Sequence, residues 1–584
     1  MIPNAPLDTR CSSVPAPRPD REFPYIPARM ARDAGVFGSA KIIAACTLLS
    51  RITGLARDVA LNWAFGQNWI QDAFNFGFQI PNLFRRLFGE GALAAVFIPE
   101  FTAALDRGGP PAASSLLGRT AGLLTLILTL VLLALEGVVL LLWFVLPGNP
   151  MRHLMLGLTA VMLPLMLGLC LLALFSSILN CLNRFAVPAL LPIVLNVCNI
   201  GGVLLVGPML GERREVQVYG VALSVLAAGV IQLLIVLPVL RRAGLAWRMS
   251  LAVTDPHVRT MLGAMTPVLI GQGVLLVNVY LDAQICTLLT RGPGQPDTFS
   301  LAGWSVPYPL AEGALSAVTN AARLYQFPLG VLAISLATAA FPLLSRHAAR
   351  GDLPAFRDAV GSSLRLAVFE GFPAGLMMIV LAEPIVALLF EYGRFGPEQT
   401  ERAARVLRVY GLGMWAFCAQ HIVTRGFYSL RDTRTPMWIG CALVALTQSM
   451  NLALVWHPAV AEAAFGLSTS VTAALSVAIG LVILRRRAGG RLGGRALAAA
   501  FARMIPLGLL AVLAAVGVQK ALDDWSAPFG SRLLTRAVHV FAPMTAALLI
   551  YLGAARWLRM DEIAWLIGGR NQTHESDGGA AAAP

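Results

Sequence analysis

The chain has 584 residues, of which 57% are hydrophobic and 13% are charged. Soluble proteins are about 45–50% apolar and about 25% charged, so this composition excludes a set of ordinary soluble domains and indicates a polytopic membrane protein. The formal net charge of +14 does not indicate a nucleic-acid-binding protein, because the basic residues lie in short connections between apolar segments.

Apolar segments recur along almost the whole chain, and each is long enough to cross a bilayer as a helix of about 20 residues. They run from 39 to 66, 73 to 105, 116 to 147, 153 to 180, 185 to 209, 216 to 240, 260 to 290, 316 to 345, 360 to 391, 402 to 429, 435 to 456, 462 to 484, 498 to 521 and 533 to 558. The sequence therefore predicts an all-α polytopic membrane protein with about fourteen transmembrane helices.

The connections between these spans alternate in charge. Those after even-numbered spans are rich in arginine, as in the pair Arg241 and Arg242, whereas those after odd-numbered spans carry fewer arginines or balancing acids such as Asp523. The positive-inside rule places the arginine-rich connections in the cytoplasm. We therefore expect a multi-pass protein of the cytoplasmic (inner) membrane with both termini in the cytoplasm.

The two ends of the chain differ from the rest. Residues 1–37 are rich in proline and have no apolar core, which excludes a secretory signal peptide and predicts a disordered cytoplasmic tail. Both Met1 and Met30 are possible starts. Residues 570–584 are small and polar, and we expect a disordered cytoplasmic tail over residues 561–584.

The sequence contains no nucleotide-binding loop, serine-hydrolase elbow or zinc-protease motif. Its eight cysteines form no CxxC pair. We therefore predict a transporter rather than an enzyme, with no catalytic residues, no metal and no cofactor.

An internal repeat divides the chain. The sixth span ends in Arg241-Arg242-Ala243-Gly244 and the twelfth in Arg486-Arg487-Ala488-Gly489, and two further landmarks recur in order at nearly the same spacing. The repeat predicts two six-helix lobes in the same orientation, with the substrate site between them near the membrane midplane. The predicted domains are a tail at 1–37, an N-lobe at 38–245, a C-lobe at 246–490, a terminal helix pair at 491–560 and a tail at 561–584.

Charged side chains occur inside the first predicted span, KIIAACTLLSRITGLARDVALNWAFG. Arg51, Arg57, Asp58 and Asn62 fall on one helical face of that span. An arginine at the centre of a membrane helix costs about 2.5–3.5 kcal/mol on insertion scales, so each needs a partner or water. Three interpretations stay open. Arg57 and Asp58 belong to a short cytoplasmic or interfacial helix end, an acid elsewhere in the chain neutralises Arg51, or the polar stripe faces an aqueous cavity.

The second span begins QDAFNFGFQIPNLFRRLFGEGALAAVFIPEF and also carries charges. Asp72 stands where a helix should begin, which favours a role as its N-cap. Arg86 and Glu90 are four residues apart and can pair on one face, whereas Arg85 points away and has no such partner.

A further arginine, Arg323, precedes the eighth span in the run ARLYQFPLG. It is either a loop arginine or part of the interface between the lobes. If it faces that interface, the lobes enclose several arginines and few acids. Such a surplus of guanidinium groups suits a phosphate or pyrophosphate, which arginine binds bidentately.

The runs LLSRITGLARD, QDAFNFGFQIPNLFRRLFGEGALAAVFIPEF and RLYQFPLGVL resemble the MurJ (MviN) family, the lipid II flippases of the multidrug/oligosaccharidyl-lipid/polysaccharide exporter superfamily. The resemblance covers about residues 38 to 560. It implies two six-helix lobes plus a terminal pair, and a central cationic cavity that takes the pyrophosphate of an undecaprenyl-linked peptidoglycan precursor. It implies pyrophosphate-binding residues Arg51, Arg57, Arg85, Arg86 and Arg323, and supporting or gating residues Asp58, Asp72, Asn82 and Glu90.

The chain departs from this family around the eighth span. Family members often carry acids where this chain has Ala322 and Gln326, so the usual partners of the eighth-span arginine are missing. The connection from Arg291 to Ser316 is long and proline-rich, and it predicts an insertion near the outer gate.

Some relatives bind sodium between the seventh, eleventh and twelfth spans. Asp282 and Asn451 stand at positions that match this site, but the second acid falls near Val455. The resemblance therefore gives only weak support for sodium here, and the driving force is expected to be Na⁺ or the membrane potential.

The resemblance implies a flippase that moves lipid II from the inner to the outer leaflet by alternating access, in peptidoglycan synthesis, cell wall biogenesis and cell shape. Its expected partners are lipid II, membrane lipids and the peptidoglycan synthesis machinery. Alternatives are an exporter of another lipid-linked oligosaccharide, a drug or cation antiporter of the same superfamily, and a membrane-bound lipid-linked sugar transferase. The surplus of arginines in the first, second and eighth spans is evidence against the antiporter. The short outer connections are evidence against the transferase, because that enzyme needs acids there to hold a metal and activate an acceptor.

Overall fold

The structure is a computed structural model that describes residues 33–88, 93–145, 149–245, 248–250, 276–301, 303–490, 492–524 and 531–566, together with positions 263 and 273. Throughout these residues the chain is almost entirely helical, and a two-stranded hairpin is the one sheet among them. The all-α architecture predicted from hydropathy is confirmed.

The first lobe is formed by helices from the amino-terminal part of the described chain. They are α1 (Asp33–Phe65), α2 (Trp69–Leu87), α3 (Leu93–Val145), α4 (Pro150–Met162), α5 (Leu165–Cys181), α6 (Ala186–Gly201), α7 (Gly207–Leu210) and α8 (Arg214–Arg242). A π-helical turn at Gly202–Val206 joins α6 to α7. α1 begins inside the predicted tail of residues 1–37, and residues 1–32 lie outside the described part.

Proline and glycine mark the breaks in these helices, one of which, at Gly109, lies in the predicted connection between the second and third spans. α3 is two helices joined at Gly109, which has a φ of 64° and is followed by Pro110 and Pro111. Proline disfavours helical backbone in the residue before it, and glycine adopts positive φ at little cost. The predicted second span therefore consists of α2 and the first part of α3, and the predicted fourth span is divided between α4 and α5 at Pro164.

The remaining helices form the second lobe and the terminal pair. They are α9 (Leu276–Leu288), α10 (Ala314–Leu329), α11 (Ser335–Ala349), α12 (Leu353–Val380), α13 (Ala382–Phe390), α14 (Pro397–Ser429), α15 (Arg434–Leu454), α16 (Ala463–Arg487), α17 (Gly494–Asp524), α18 (Arg532–Trp557) and α19 (Asp561–Leu566). A π-helical turn at Gly330–Ile334 joins α10 to α11.

Two large apolar cores hold these helices together. One contains Phe97, Phe175 and other residues of α1 to α8, and the other contains Phe356, Phe427 and residues of α10 to α19. The terminal helices pack on the second core, where Tyr551 Oη donates a hydrogen bond of 3.2 Å to the carbonyl of Phe369. We call α1 to α8 the N-lobe and α9 to α16 the C-lobe.

Small residues allow the closest helix approaches. A β-carbon at Gly375 of α12 would collide with the carbonyl oxygen of Gly411 in α14, and one at Gly371 would lie 2.9 Å from Cys418 Sγ. Membrane helices associate largely through such close packing, because lipid removes the hydrophobic driving force between them. The α12–α14 pair therefore depends on glycine at both positions.

Ten helical segments in the described part of the chain are long and apolar enough to span a membrane. α1, α2 and α14 are outside that set, and all three include arginines within their length. The seventh predicted span, 260 to 290, is described as a helix only from Leu276 onward. The protein is a multi-pass membrane protein, and the count of fourteen stays a prediction.

The predicted insertion between Arg291 and Ser316 contains the hairpin. β1 (Thr298–Leu301) pairs antiparallel with β2 (Trp304–Pro307), and Thr298 lies opposite Pro307. Phe299 stacks against Tyr308 and Trp456, with ring centroids 4.9 and 6.4 Å away. The insertion is therefore an ordered element that packs on the end of α15.

The predicted tail at 561–584 begins with a helix rather than disordered chain. The Arg365 guanidinium of α12 lies 3.8 Å from a carboxylate oxygen of both Asp561 and Glu562 and stacks 4.5 Å from the Trp565 ring. These contacts fix α19 to the C-lobe core. Residues 567–584 lie outside the described part.

Candidate functional site

The boundary between the lobes is formed by α1 and α2 of the N-lobe and by α10 of the C-lobe, and α1 runs antiparallel to α10. Asn62 of α1 contacts Asn320, and Arg51, nearer the start of α1, contacts Phe327. We call the side of the helix bundle where α1 begins the N-terminal face and the side where α1 ends the opposite face.

Arg57 lies at the centre of this boundary and is only 8% exposed. Its Nε and Nη2 donate to Asp58 Oδ1 at 3.0 and 2.7 Å, and its Nη1 donates to Asn196 Oδ1 at 3.1 Å. Asn196 belongs to α6 and also donates to the carbonyl of Ser50 at 3.2 Å. Arg57 and Asp58 are therefore buried between helices, within α1 rather than at its end.

Asp58 also reaches the other lobe. Its Oδ2 lies 3.5 Å from Arg323 Nε, so the Asp58 carboxylate forms an ion pair with one arginine from each lobe. No acid stands at Ala322 or Gln326 beside Arg323 in the sequence, and Asp58 of the other lobe pairs with it instead. The positive charges of Arg85 and Arg86 also interact with the charge of Arg323. The arginines of the first, second and eighth predicted spans therefore influence one another electrostatically.

A cavity lies around these groups. Its lining consists of Arg57, Asp58, Leu61, Asn62, Gln71, Phe74, Asn75, Phe78, Asn199, Thr319, Asn320 and Arg323. Its free volume is about 20 Å³, which is room for about one water molecule. The lobes must move apart before a larger ligand can enter.

Carboxamides close the cavity on the side of the opposite face. Asn62 Nδ2 donates to Asn320 Oδ1 at 3.1 Å, and Asn320 Nδ2 donates back to Asn62 Oδ1 at 2.9 Å. Both residues are buried, at 1% and 5% exposed. This reciprocal pair satisfies both side chains only while the lobes touch.

Asp72 joins the lobes nearer to the opposite face. It accepts hydrogen bonds from the backbone nitrogens of Gly313 at 2.8 Å and Ser316 at 2.7 Å, and from Ser316 Oγ at 2.5 Å. The expectation that Asp72 caps its own helix is wrong. Asn68 caps α2, whereas Asp72 caps α10 of the other lobe.

Further hydrogen bonds join the two lobes at the same face. The backbone nitrogen of Gln67 donates to Gln399 Oε1 at 3.1 Å, and that of Arg394 donates to the carbonyl of Trp63 at 3.1 Å. Asn75 Nδ2 donates to Ser316 Oγ at 3.3 Å. The lobes are therefore tightly joined at the opposite face.

The boundary is looser toward the N-terminal face. Ser316 is fully buried and Asn320 is 5% exposed, whereas the Arg323 side chain, farther along α10, is 43% exposed. Arg51 contacts α10 through one long bond, from Nη1 to the carbonyl of Phe327 at 3.4 Å, and lies over the Phe327 ring. The cleft between the lobes therefore widens toward the N-terminal face.

The structure does not bring all the predicted arginines into the cavity wall. Arg51, Arg85 and Arg86 are absent from its lining. Arg85 has a partner that sequence spacing did not suggest, because its Nε donates to Asn82 Oδ1 at 3.0 Å. Glu90 lies outside the described residues, and so does its expected pair with Arg86.

The predicted ion-site residues do lie together, away from this cavity. Asp282 Oδ1 accepts from Asn451 Nδ2 at 2.7 Å and from Gln448 Nε2 at 2.8 Å. Gln448 Nε2 also donates to Asn278 Oδ1 at 2.8 Å. The N–H groups of Asn451 and Gln448 thus face the carboxylate, and Asn451 Oδ1 is buried without a hydrogen-bond partner among the described residues. Sodium binding at this position stays a prediction.

A second cavity, of about 830 Å³, lies within the C-lobe between α14, α15 and α16. Its described lining contains hydroxyl, carboxamide and apolar groups but no charged side chain. Tyr325, which lies on the side of α10 away from Arg323, stacks on Tyr410 and Phe417 with centroids 4.4 and 5.1 Å apart. The arginine cavity is therefore the one suited to an anion.

Sequence reasoning missed the carboxamides on other helices that support this cavity. Asn196 and Asn199 stand three residues apart in the otherwise apolar α6, and Gln71 precedes Asp72 in α2. Their spacing was a usable signal, because polar residues on one face of an apolar membrane helix seldom face lipid.

Comparison with known proteins identifies similar chains. The family model described as "Lipid II flippase MurJ" matches residues 61–533. The "Probable lipid II flippase MurJ" of Rhizobium meliloti (strain 1021) is 30% identical over 524 residues, covering 88% of this chain and 92% of that protein. The "Probable lipid II flippase MurJ" of Vibrio cholerae is 32% identical over 450 residues, covering 75% and 81%.

Solved structures share the fold. One titled "Lipid II flippase MurJ, inward closed conformation" has a TM-score of 0.68 at 19% identity and covers 89% of this chain and 99% of that one. An inward-facing multidrug resistance MATE family transporter of the MOP superfamily has a TM-score of 0.60 at 13% identity, covering 77% and 98%. The two-lobe membrane architecture is therefore common to these proteins.

Proposed function

This chain belongs to the MurJ family of lipid II flippases, and we propose that it moves lipid II from the inner to the outer leaflet of the cytoplasmic membrane by alternating access between its lobes. Members of the family are transporters and not enzymes. The observation that carries the proposal is the cationic cavity at the lobe boundary, where Arg57 of one lobe and Arg323 of the other share the carboxylate of Asp58.

The chemistry of this cavity suits a pyrophosphate. Two guanidinium groups from different lobes can each bind phosphate oxygens in a planar, bidentate manner. Asp58 pairs with both when no substrate is bound, and an arriving pyrophosphate competes with it for the same donors. The exchange of one anion for another keeps the arginines paired throughout the cycle.

The orientation follows from the charges at the two faces. At the opposite face arginines are paired with acids, as in Arg536 with Glu391 at 2.6 Å and Arg402 with Glu462 at 2.8 Å. The N-terminal face carries the run Arg485 to Arg487, in which Arg487 lies 3.7 Å from Asp432. By the positive-inside rule the N-terminal face is cytoplasmic, so the wider end of the cleft receives substrate from the cytoplasmic side.

Alternating access then requires the lobes to part at the opposite face. The Asp72 bonds to α10, the Asn62–Asn320 pair and the contacts of Trp63 and Gln67 must all break there. When they do, Arg57 and the headgroup it holds become accessible from the outside. We propose a sodium gradient or the membrane potential as the driving force for this motion.

A drug or cation antiporter of the same superfamily shares this fold. Its substrate would be an organic cation, for which a cavity needs an excess of acids. The cavity here has Arg57 and Arg323 against the single acid Asp58 among its described lining residues. Its net charge therefore has the wrong sign for that function.

Complementation tests the proposal. In a strain depleted of its own lipid II flippase, the wild-type chain should restore growth, and Arg57→Ala and Arg323→Ala should fail at equal membrane levels. Arg405→Ala, which removes an exposed arginine paired with Glu401 at 3.2 Å, is the matched control and should support growth. A well-inserted wild-type protein that does not restore growth would point to another lipid-linked oligosaccharide.

A further inference from the structure

Two carboxamide side chains in the wall of the arginine cavity have unused oxygen atoms. Gln71 of α2 and Asn199 of α6 are each 3% exposed. Within the described residues, Gln71 Oε1 and Asn199 Oδ1 have no hydrogen-bond partner. A buried acceptor without a partner is costly, so such groups in a cavity wall indicate a donor that arrives from outside the chain.

The other carboxamides of the same wall differ in this respect. Asn62 and Asn320 satisfy each other, and Asn75 donates to Ser316. Only the carboxamides of Gln71 and Asn199 present buried, unused acceptors among the described lining residues. Both belong to the N-lobe, as does Arg57.

An aromatic surface lies beside these acceptors. Phe74 and Phe78 follow Gln71 on the same helix at spacings of three and seven residues, so they share its face. Their rings are nearly parallel, with centroids 6.3 Å apart and an interplanar angle of 3°. Both rings line the cavity.

The N-lobe wall therefore combines a guanidinium, two acceptors and two aromatic rings. A pyrophosphate alone would use only the guanidinium. The acceptors need hydroxyl or amide N–H donors, and the rings need an apolar face. A sugar carrying an acetamido group, joined directly to the pyrophosphate, supplies all of these.

We propose that Gln71 and Asn199 bind the uncharged hydroxyl and acetamido groups of the amino sugar next to the pyrophosphate, with Phe74 and Phe78 packed against the sugar ring. This subsite rests on the proposed function. It forms fully only when the lobes part, because the closed cavity has room for about one water molecule. Its residues stay together during that motion, since all of them lie in the N-lobe.

Binding to the purified protein in lipid nanodiscs tests the subsite. Two ligands with the same short prenyl chain are compared: prenyl pyrophosphate, and prenyl pyrophosphate that carries a disaccharide of N-acetylated amino sugars. Gln71→Met and Asn199→Leu remove the carboxamide at similar side-chain volume. Each should weaken binding of the sugar-bearing ligand by about five- to tenfold and leave binding of prenyl pyrophosphate unchanged.

Two controls separate the sugar contact from other effects. Gln79→Met removes a carboxamide of α2 whose Oε1 is also buried without a partner but does not line the cavity, and it should change neither affinity. Arg57→Ala should weaken both ligands. Thermal melting verifies that each variant is folded, and Gln71→Ala and Asn199→Ala replace any variant that is not.

Equal loss for both ligands would overturn the proposal, because the carboxamides would then only shape the cavity. Unchanged binding of both ligands would also overturn it and would mean that water alone satisfies the two oxygens. If the wild-type protein binds neither ligand, the proposed function itself fails, and that outcome is distinct from the other two.

Discussion

Asp58 accepts two hydrogen bonds from Arg57 and forms an ion pair with Arg323 at 3.5 Å. Without it, two guanidinium groups would face each other in a poorly solvated boundary, where like charges repel more strongly than in water. The same carboxylate competes with a phosphate for both arginines. Asp58 therefore favours closure of the empty cavity and opposes tight binding of the substrate.

Asp58→Asn separates these two effects. We expect pyrophosphate to bind more tightly, by about tenfold for the loss of one charged competitor, while transport falls because the empty lobes no longer close easily. Ligand affinity in nanodiscs and lipid II transport in cells are the two measurements. Asp352→Asn, which alters the exposed N-cap of α12, is the control and should affect neither. A parallel loss of affinity and transport would contradict this role for Asp58.

The sequence indicated Arg57, Arg323 and Asp58 because a charge inside an apolar span demands an explanation. It did not indicate their partners. Asn196 is separated from Arg57 by 139 residues along the chain, and Asp72 from Gly313 by 241. No local spacing rule connects such pairs, so Asp72 was assigned to the nearest helix start rather than to α10.

At the scale of helices, the outer closure depends on the beginning of α10. The first backbone N–H groups of a helix have no partner within it, and they favour a negative charge. Asp72 of α2 satisfies those of Gly313 and Ser316 across the lobe boundary. The junction is thus a helix cap whose two halves lie on different lobes.

Asp72→Ala should favour the state that is open at the opposite face. It removes three hydrogen bonds to a charged group, so we expect the open population to rise by about tenfold or more. The measurement is the rate at which a cysteine placed at Thr319, in the cavity wall, reacts with a membrane-impermeant thiol reagent added outside. Asp297→Asn in the exposed hairpin is the control. An unchanged rate would show that Asp72 does not hold the lobes together.

Gly313 makes the same junction sterically possible. It has a φ of 82°, and a β-carbon there would collide with the backbone carbonyl of Gln67. Gly313→Ala should therefore both strain α10 and separate the lobes, and reduce transport. Gly294→Ala is the matched control, because Gly294 has a φ of 73° but open space around it. Equal transport by the two variants would mean that close approach at Gly313 is dispensable.

At the scale of the whole molecule, the sequence predicted the features that depend on residues close together in the chain. Long apolar runs predicted the helices and the break between the second and third spans at Gly109, and the alternation of arginine predicts an orientation. The division of the fourth span at Pro164, the ordered hairpin at Thr298–Pro307 and helix α19 were missed. Each depends on proline or glycine geometry or on packing against a distant helix, such as Arg365 of α12 on α19, which hydropathy does not report.

The energy source is also a property of the whole molecule. The sequence has no nucleotide-binding motif. Moving one charge through the membrane field yields about 2.3 kcal/mol per 100 mV, and the cavity carries one net positive charge from Arg57, Arg323 and Asp58. Dissipating the potential should therefore slow transport and raise the population open to the cytoplasm. Unchanged transport after complete depolarisation would contradict this.

We propose that the lobes separate at the opposite face in every transport cycle. Asn75 and Ser316 lie on different lobes, with Nδ2 and Oγ 3.3 Å apart, so cysteines at both positions can be linked by a short bifunctional thiol reagent. The variant needs a background without the eight native cysteines. Linking the pair with a reducible reagent should stop lipid II transport, and reduction should restore it, while either single cysteine treated alike keeps its activity. Transport that continues while the pair is fully linked would contradict alternating access between these lobes.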